Sequence, residues 1–326
     1  MLAVHGGVAT ARHGIDRLCA DAVKKWHNNP VQAIVYMEAD PLVNCGYGSS
    51  ITSSGRVEVE AGYMSSESFA FGAVGSVTNT KHPILAAKCL ADRYLKERSF
   101  MLIPPQVVVG EGADALVRDL QLPICSNNDL KSPGAVKEFE KAKERIELAN
   151  DDIPMEEKMD TVGSTYIHEF GRAEACVSSG GIVLKKDGRL GHSVFFGSGV
   201  WAEQRETKSI AISISGCGET LARVRFAQSL ADFIFDLPEE EMLPSAVNHF
   251  CRSKFLNSPL LAHFPVCRRI VGGILIFRQG RIQELVAFHN SKMFCFAFWN
   301  GKKVKHYCSE LETGADFMCN SFVAKF

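Results

Sequence analysis

The period of the hydrophobic positions changes several times in the first half of the chain. Stretches with helical spacing of apolar residues alternate there with short apolar runs that suit strands. The pattern predicts helices over residues 14–27, 31–39, 83–96 and 133–149, and strands over 56–60 and 68–77. The last helix carries charge on most faces and leads into residues 150–160, the most polar stretch of the chain, which predicts an exposed loop.

The second half opens with two β-like runs, residues 161–168 and 173–179. A short turn at Phe170-Gly171 joins them, which predicts a hairpin. Further strands are predicted over 193–196, 209–215, 270–277 and 281–289, and helices over 219–235 and 238–255. This order suits helices layered over largely antiparallel sheets better than a repeated βαβ unit.

Composition places the chain among ordinary globular proteins. Of its 326 residues 46% are hydrophobic, and 36 basic against 37 acidic residues leave a net charge of −1. These values argue against disorder, and no apolar run approaches the ~18 residues of a membrane span. Balanced charge gives no reason to expect nucleic acid or a membrane surface as the main partner. No linker-like tract divides the chain, so we expect one layered domain over residues 1–326.

The eleven cysteines are scattered and include no CxxC pair, so we expect reduced thiols rather than a zinc site. The histidines show no HExxH spacing, and neither a metal nor a cofactor is expected. Residues 1–14 lack the apolar stretch of a secretory signal. Together these features predict a cytoplasmic or nuclear protein.

Two glycine motifs bear on function. The first, G-x-G-x-x-A at residues 197–202, matches a dinucleotide fingerprint, but the next predicted strand begins near Ser209, too soon for a crossover helix. Nucleotide binding is therefore not expected. The second, Gly-Cys-Gly at 216–218, lies between a predicted strand and a predicted helix. Backbone N–H groups at a helix start can stabilise an oxyanion, although a simple tight turn is the alternative.

Several motifs together resemble the N-terminal-nucleophile hydrolases of the plant-type asparaginase family, and within it the threonine aspartase (taspase) branch. The match extends over most of residues 2–275. The motifs are His5-Gly-Gly, Asn44-Cys-Gly-Tyr-Gly-Ser49, Phe71-Gly-Ala-Val-Gly75, Asp160-Thr-Val-Gly163, Val177-Ser-Ser-Gly-Gly181, Gly188-Arg-Leu-Gly191, Gly199-Val-Trp-Ala-Glu203 and Ser215-Gly-Cys-Gly-Glu219. The resemblance implies an αββα sandwich.

The resemblance also implies that the chain cuts itself between Asp160 and Thr161. The products would be an α subunit, 1–160, and a β subunit, 161–326, which remain associated as an (αβ)2 homodimer. The freed α-amine of Thr161, with an ordinary pKa of about 7.7 to 8.0, can take the proton from its own hydroxyl as that oxygen attacks a carbonyl. One residue then supplies both nucleophile and base.

Two further side chains are implied to surround the nucleophile. Ser179, at the far end of the proposed hairpin, would hold the Thr161 amine or the substrate carboxylate; a structural serine in a turn is the alternative. Arg189 matches the family's carboxylate ligand, and its planar guanidinium can bind a carboxylate through two hydrogen bonds. An exposed arginine in a Gly-Arg-Leu-Gly turn is the alternative for that position.

The remaining implied site residues lie in separate parts of the chain. Ser215 and the Gly216 N–H correspond to oxyanion-hole donors. Asn44 would hydrogen-bond the substrate carboxylate, and Gly7 would let the backbone approach the nucleophile. The alternative for these last two is an ordinary turn.

One departure from the family pattern concerns the substrate. Three residues after Arg189 the asparaginase-like relatives place an Asp for the substrate's free ammonium, whereas this chain has His192. An internal residue of a polypeptide has no such ammonium, so His192 favours endoproteolysis. The segment after Gly7 is also short, and either Arg12 or His13 can supply the basic contact expected there.

The sequence therefore predicts a threonine endopeptidase that cuts protein substrates after Asp. The resemblance implies transcription regulators as substrates, such as trithorax-type methyltransferases and the large subunit of TFIIA. The nearer alternative is an asparaginase or isoaspartyl dipeptidase that acts on small molecules. A catalytically silent scaffold is a third reading, against which Thr161, Ser179 and Arg189 argue together.

Overall fold

The computed structural model describes residues 1–9, 13–96, 103–148, 160–238 and 240–325. The helices are α1 (Ile15–Trp26), α2 (Pro30–Glu38), α3 (Pro83–Lys96), α4 (Gly110–Asp119), α5 (Pro133–Leu148), α6 (Gly218–Arg223), α7 (Phe226–Phe235) and α8 (Leu243–Phe250). The strands are β1 (Leu2–Ala9), β2 (Val59–Ser65), β3 (Phe71–Val77), β4 (Val107–Val109), β5 (Val162–Ile167), β6 (Ala173–Ser179), β7 (Val200–Arg205), β8 (Lys208–Gly216), β9 (Val271–Gln279), β10 (Ile282–His289), β11 (Met293–Trp299), β12 (Val304–Glu310) and β13 (Met318–Lys325).

Within these ranges the strands form two sheets. The larger has the order β12-β11-β1-β5-β6-β2-β3-β4, and only the β3–β4 pair is parallel. The smaller has the order β13-β10-β9-β8-β7 and is antiparallel. Strands β2, β3 and β6 are buried at every position, because their sheet is covered on both faces.

Two apolar clusters hold the layers together. One fills the space between the two sheets and continues beneath α7 and α8. The other lies between the larger sheet and helices α1 to α4. The order of layers is therefore helix, sheet, sheet, helix, and the α/β fold with largely antiparallel sheets that the sequence predicted is confirmed.

Local signals in the sequence define where α2 begins. The side-chain oxygen of Asn29 accepts the backbone N–H of Gln32 at 3.0 Å, and Pro30 occupies the first helical turn. An Asn cap followed by proline is a strong helix start, because it satisfies one free N–H and pre-sets the backbone. The helix predicted from residue 31 therefore begins one residue earlier, at Pro30.

Most of the predicted elements are confirmed, with some shifts. The predicted helices of the first half correspond to α1, α2, α3 and α5, and the predicted hairpin is the antiparallel pair β5 and β6. The strand predicted over 56–60 lies further along the chain as β2. Strands β1, β7 and β11 to β13 and helix α4 have no counterpart among the predicted elements.

Three predicted elements of the second half are wrong. Residues 193–196 form no strand, since His192–Val194 is a 3₁₀ turn and the aromatic side chains after it are partly exposed. The helix predicted over 219–235 is two helices, α6 and α7, because Arg225 between them has left-handed backbone with φ of 47°. The helix over 238–255 begins only at α8 and ends in a wider π-helical turn. Apolar spacing does not reveal such single-residue breaks.

The glycine motif at 197–202 runs directly into β7 and not into a helix. This agrees with the expectation that it is not a dinucleotide site. Of the predicted loop 150–160, the part over 150–159 lies outside the described residues, as does Arg12. Its last residue, Asp160, is only 1% exposed, so that end of the predicted loop is buried.

No helix within the described ranges is long and apolar enough to cross a bilayer. In the same part of the chain, no group of three or more His, Cys, Asp or Glu side chains is arranged to hold a metal ion.

The expectation of reduced thiols throughout is wrong for one pair of cysteines. Antiparallel pairing places Cys295 of β11 opposite Cys308 of β12, and the two form a disulfide. The other nine cysteines form no disulfide. Sequence spacing did not reveal the pair, because it depends on the register of two strands that the pattern had not identified.

The disulfide predicts a thiol count. Denatured, unreduced protein should titrate nine thiols per chain, and reduced protein eleven. Replacing Cys308 with Ser should lower the free energy of unfolding by about 2–4 kcal/mol, measured by denaturant unfolding, because the cross-link restricts the unfolded chain. Cys267→Ser, at an exposed free cysteine, is the control and should leave stability unchanged. Eleven thiols before reduction would contradict the pairing.

Candidate active site

Three polar side chains lie in one row across the larger sheet. The β5–β6 register places Val162 opposite Ser178, so Thr161 lies beside Ser179, and its Oγ1 donates a hydrogen bond to the Ser179 Oγ at 3.0 Å. Ser179 is in turn paired with Glu60 of β2. All three side chains of this row are at most 3% exposed. The structure therefore brings the predicted nucleophile and Ser179 together.

The peptide bond before Thr161 is tightly enclosed. A bulge in β1 carries Gly7, which has a φ of 92°. A Cβ atom at Gly7 would lie 2.6 Å from the carbonyl carbon of Asp160 and 2.8 Å from the carbonyl oxygen of Thr161. Both the left-handed conformation and the close approach require glycine there. Gly7 thus lies against the bond that the sequence predicts to be cut.

The smaller sheet contributes the end of β8. The Oγ of Ser215 accepts the backbone N–H of Val8 at 3.1 Å, which ties β8 to β1 across the two sheets. Gly216 follows with a φ of 146°, and a Cβ there would lie 2.2 Å from the carbonyl oxygen of Ile270. Gly216 lies at the same cleft as Thr161. Of the two predicted oxyanion donors, Gly216 therefore lines the cleft, and Ser215 directly before it is fully buried.

Arg189 also reaches this cleft, but its guanidinium is already paired. Its Nε donates to Oε1 of Glu219 at 2.9 Å and its Nη2 donates to Oε2 at 2.8 Å. Partial burial alone would raise the pKa of Glu219, but the charge and hydrogen bonds of Arg189 lower that pKa below its ordinary value. No role was predicted for Glu219, although its place just after the Gly-Cys-Gly motif was a usable signal.

His192 lies deeper in the same cleft and is 2% exposed. Its ring Nε2 is 2.8 Å from the carbonyl oxygen of Ile214, so this nitrogen carries the proton and donates. Burial lowers the pKa of His192. The ring is therefore a neutral group at neutral pH, and it offers no charge to a substrate.

Asn44 is hydrogen-bonded to three backbone groups. Its Nδ2 donates to the carbonyl oxygen of Gly181 at 2.6 Å, and its Oδ1 accepts the N–H of Ser50 at 2.9 Å. The Asn44 carbonyl also accepts the N–H of Gly180 at 2.8 Å. Asn44 thus holds the turn after β6, and a hydrogen bond from it to a substrate carboxylate stays a prediction. His13, the described candidate for the basic contact, is exposed.

Two buried glutamates hold the loop that carries Arg189. The Glu58 Oε2 accepts the N–H of Gly188, and the Glu60 Oε2 accepts the N–H of Gly191, each at 2.8 Å. Both carboxylates are at most 4% exposed. Sequence analysis missed their role, although two glutamates at alternate positions in a predicted strand are an unusual pattern for a buried sheet.

Lys185 completes this group of buried charges. It is 3% exposed, and its Nζ donates to the backbone carbonyl of Glu58 at 2.8 Å. Burial lowers the pKa of Lys185, while the nearby Glu60 carboxylate opposes that shift. Of the charged groups described here, Arg189 and Glu60 line the cleft itself.

A buried polar network lies beneath the strand that begins with Thr161. Ser213 donates its hydroxyl to the carbonyl oxygen of Cys176 at 2.9 Å and accepts from His5 Nε2 at 3.0 Å. A Cβ at Gly163 would lie 1.8 Å from the Ser213 Oγ. Glycine two residues after the nucleophile is therefore required for this network, and the network in turn supports β5.

Comparison with known proteins identifies the family. The family model Asparaginase_2, described as asparaginase, matches residues 9–308. The chain belongs to this asparaginase family. Its members are N-terminal-nucleophile hydrolases, so the predicted family is confirmed at that level.

Individual relatives carry more specific names. An isoaspartyl peptidase of Salmonella typhimurium is 33% identical over 204 residues, 61% of each chain. An isoaspartyl peptidase/L-asparaginase of Bos taurus is 28% identical over 291 residues, 89% of this chain and 83% of the relative. A plant-type L-asparaginase of Pyrobaculum calidifontis is 29% identical over 241 residues, 68% and 75% of the two chains. The match spans about three fifths of the Salmonella protein. These names show the asparaginase family but not its taspase branch.

Buried neutral histidines predict a loss of stability in acid. Burial lowers the pKa of His5 to about 3 and that of His289 to about 4, against an ordinary value of 6.5. Below pH 6.5 each histidine is protonated in the unfolded chain but stays neutral in the folded protein. Its contribution to the free energy of unfolding is therefore present above pH 6.5 and is lost as the pH falls from 6.5 toward the folded-state pKa. Each should lower the free energy of unfolding by about 1.4 kcal/mol per pH unit in that window.

Denaturant unfolding between pH 7.5 and 4.5 measures this dependence. Burial raises the pKa of Glu38, which acts in the opposite direction, so the informative quantity is the difference between wild type and His289→Gln. The free energy of unfolding of His289→Gln should fall less steeply with decreasing pH than that of the wild type. The difference in slope should correspond to about one proton. Equal slopes for the two proteins would contradict a neutral buried His289.

Proposed function

We propose that the protein is a self-processing threonine hydrolase that cuts its own Asp160–Thr161 bond. The observation that carries this proposal is the 3.0 Å hydrogen bond from Thr161 Oγ1 to Ser179 Oγ at a buried peptide bond. The resulting subunits, residues 1–160 and 161–326, would stay together, because the larger sheet interleaves strands of both. Strand β1 pairs with β5, and β2 pairs with β6, across the cut.

The chemistry of processing follows from the position of the hydroxyl. The Thr161 Oγ1 attacks the carbonyl carbon of Asp160 and its proton passes to the departing nitrogen, so the amide C–N bond breaks and an ester forms. Water then hydrolyses the ester and leaves Thr161 with a free α-amine. In turnover that amine takes the hydroxyl proton during attack on the substrate and passes it to the leaving group. Ser215 and the Gly216 N–H would stabilise the oxyanion.

For the substrate we propose the amide of an asparaginyl or isoaspartyl compound, the class named in the relatives above. Arg189 supplies a positive charge for a substrate carboxylate. Glu60 supplies a buried carboxylate in the same cleft, beside Thr161, for a substrate ammonium. A cleft with charges of both signs fits a small zwitterionic substrate.

One observation favours a second candidate, endoproteolysis after Asp as in the taspase branch. His192 is neutral and buried, and its Nε2 is bound to the Ile214 carbonyl. It therefore offers no charge to a free α-ammonium, while a polypeptide substrate does not require one. In this reading Arg189 holds the Asp side chain of the substrate protein.

Processing can be tested on a denaturing gel. Wild-type protein should give two bands of nearly equal size, corresponding to residues 1–160 and 161–326. Thr161→Ala should give one band, because the attacking oxygen is gone. Thr165→Ala removes a buried threonine of the same strand and should still be processed. A single band from the wild type, with the bond intact by mass spectrometry, would disprove the proposal.

A parallel assay distinguishes the two candidate substrate classes. Processed enzyme is incubated with L-asparagine, with an isoaspartyl dipeptide and with an Asp-containing polypeptide. We expect hydrolysis of the small substrates. His192→Asp should raise kcat/KM on them by about tenfold, since a charge-assisted hydrogen bond to the ammonium contributes roughly 1.4 kcal/mol. Cleavage of the polypeptide alone by the wild type would select the second candidate. Turnover of none of the three would contradict both.

A further inference from the structure

Glu219 occupies one edge of the Arg189 guanidinium. A guanidinium is planar and carries five N–H donors, which form two edges able to bind a carboxylate. The Glu219 carboxylate binds the edge made of Nε and Nη2, at 2.9 and 2.8 Å. The other edge, made of Nη1 and the second N–H of Nη2, takes no part in this pair.

The remaining edge is bordered by glycines. A Cβ atom added at Gly181 or at Gly191 would lie 3.3 Å from Nη1, and one at Gly218 would lie 3.0 Å from Nη2. All three glycines line the cleft that contains Thr161. Because each lacks a side chain, the terminal nitrogens are left accessible from the cleft side. Nη1 and Nη2 therefore lie next to three of the glycines that line the nucleophile's cleft.

We propose that Glu219 is a positioning residue, which clamps Arg189 by its Nε–Nη2 edge and presents the Nη1–Nη2 edge to a ligand carboxylate. The glycine border would admit a flat, unbranched carboxylate approaching end-on. This inference rests on the proposed role of Arg189 as the carboxylate ligand and adds the residue that sets its orientation.

The surrounding charges support a clamp. Glu219 lies in the first turn of α6, and Arg189 is the cation that lowers the pKa of Glu219, so this carboxylate stays ionised at neutral pH. The carboxylate of Glu60 is engaged by the N–H of Gly191, and Lys185 by the Glu58 carbonyl. Among the described residues, Glu60 therefore does not compete with Glu219 for the Nε–Nη2 edge, and Lys185 does not compete with Arg189 for the Glu219 carboxylate.

A competing role for Glu219 predicts the opposite change in ligand affinity when Glu219 is removed. If Glu219 merely occupied the place of the substrate carboxylate, its removal would free Arg189 and tighten ligand binding. If it is a clamp, its removal lets the long arginine side chain adopt other rotamers and weakens binding.

The test is equilibrium binding of succinate to processed full-length enzyme by calorimetry. Succinate carries carboxylates but has no amide to hydrolyse, so its affinity reports on Arg189 independently of turnover. Wild type should bind saturably, and Glu219→Gln should bind about tenfold more weakly, as expected for loss of one charge-assisted contact. Glu206→Gln, at an exposed glutamate in the turn before β8, is the matched control and should bind like wild type.

A double-mutant cycle separates positioning from a general structural effect. In an Arg189→Lys background, where binding is already weak, Glu219→Gln should cause less than a twofold further change, because it acts only through the guanidinium. Denaturant unfolding of each variant checks that the fold is retained. In steady-state assays Glu219→Gln should raise KM and leave kcat nearly unchanged.

Three outcomes would overturn the proposal. Glu219→Gln binding as tightly as wild type, or tighter, would show that Glu219 is a bystander or a competitor. Additive effects in the double variant would show a role that does not pass through Arg189. Absence of saturable succinate binding to wild type would show that the Nη1–Nη2 edge of Arg189 does not bind a carboxylate. The hydrolysis assays report separately on the proposed function.

Discussion

The antiparallel register of β5 with β6 is the constraint on which the rest of the site depends. It sets Thr161 beside Ser179, and the next strand, β2, adds Glu60 to the same row. Because side chains alternate between faces along a strand, a slip of one residue would turn the hydroxyls toward opposite faces. The buried polar network of His5 and Ser213 beneath β5 holds this register from the second sheet.

The site lies where the two sheets meet, and both contribute to it. The bulge at Gly7 brings β1 against the Asp160–Thr161 bond, and Ser215 at the end of β8 accepts a hydrogen bond from β1. Buried glutamates beneath the Arg189 loop fix backbone N–H groups that would otherwise be free. Placement of one nucleophile thus depends on contacts between strands far apart in sequence.

Sequence reasoning located the elements with strong local signals and failed where a single residue or a distant strand decided the structure. Helix α2 starts with a cap and a proline, and its start was predicted within one residue. Arg225 breaks a helical pattern with left-handed backbone that no apolar spacing records. The Cys295–Cys308 pair depends on strand register, so cysteine spacing alone suggested only free thiols.

The sequence by itself determined the layered α/β class, the asparaginase family and the candidate nucleophile, because apolar periodicity and ordered motifs are local properties of the chain. Only the tertiary structure decided which groups surround Thr161. Glu60 reaches the cleft through sheet pairing, Glu219 binds Arg189 there, and Asn44 holds the turn after β6. Such placements depend on long-range contacts, and the sequence near each residue does not specify which distant group it meets.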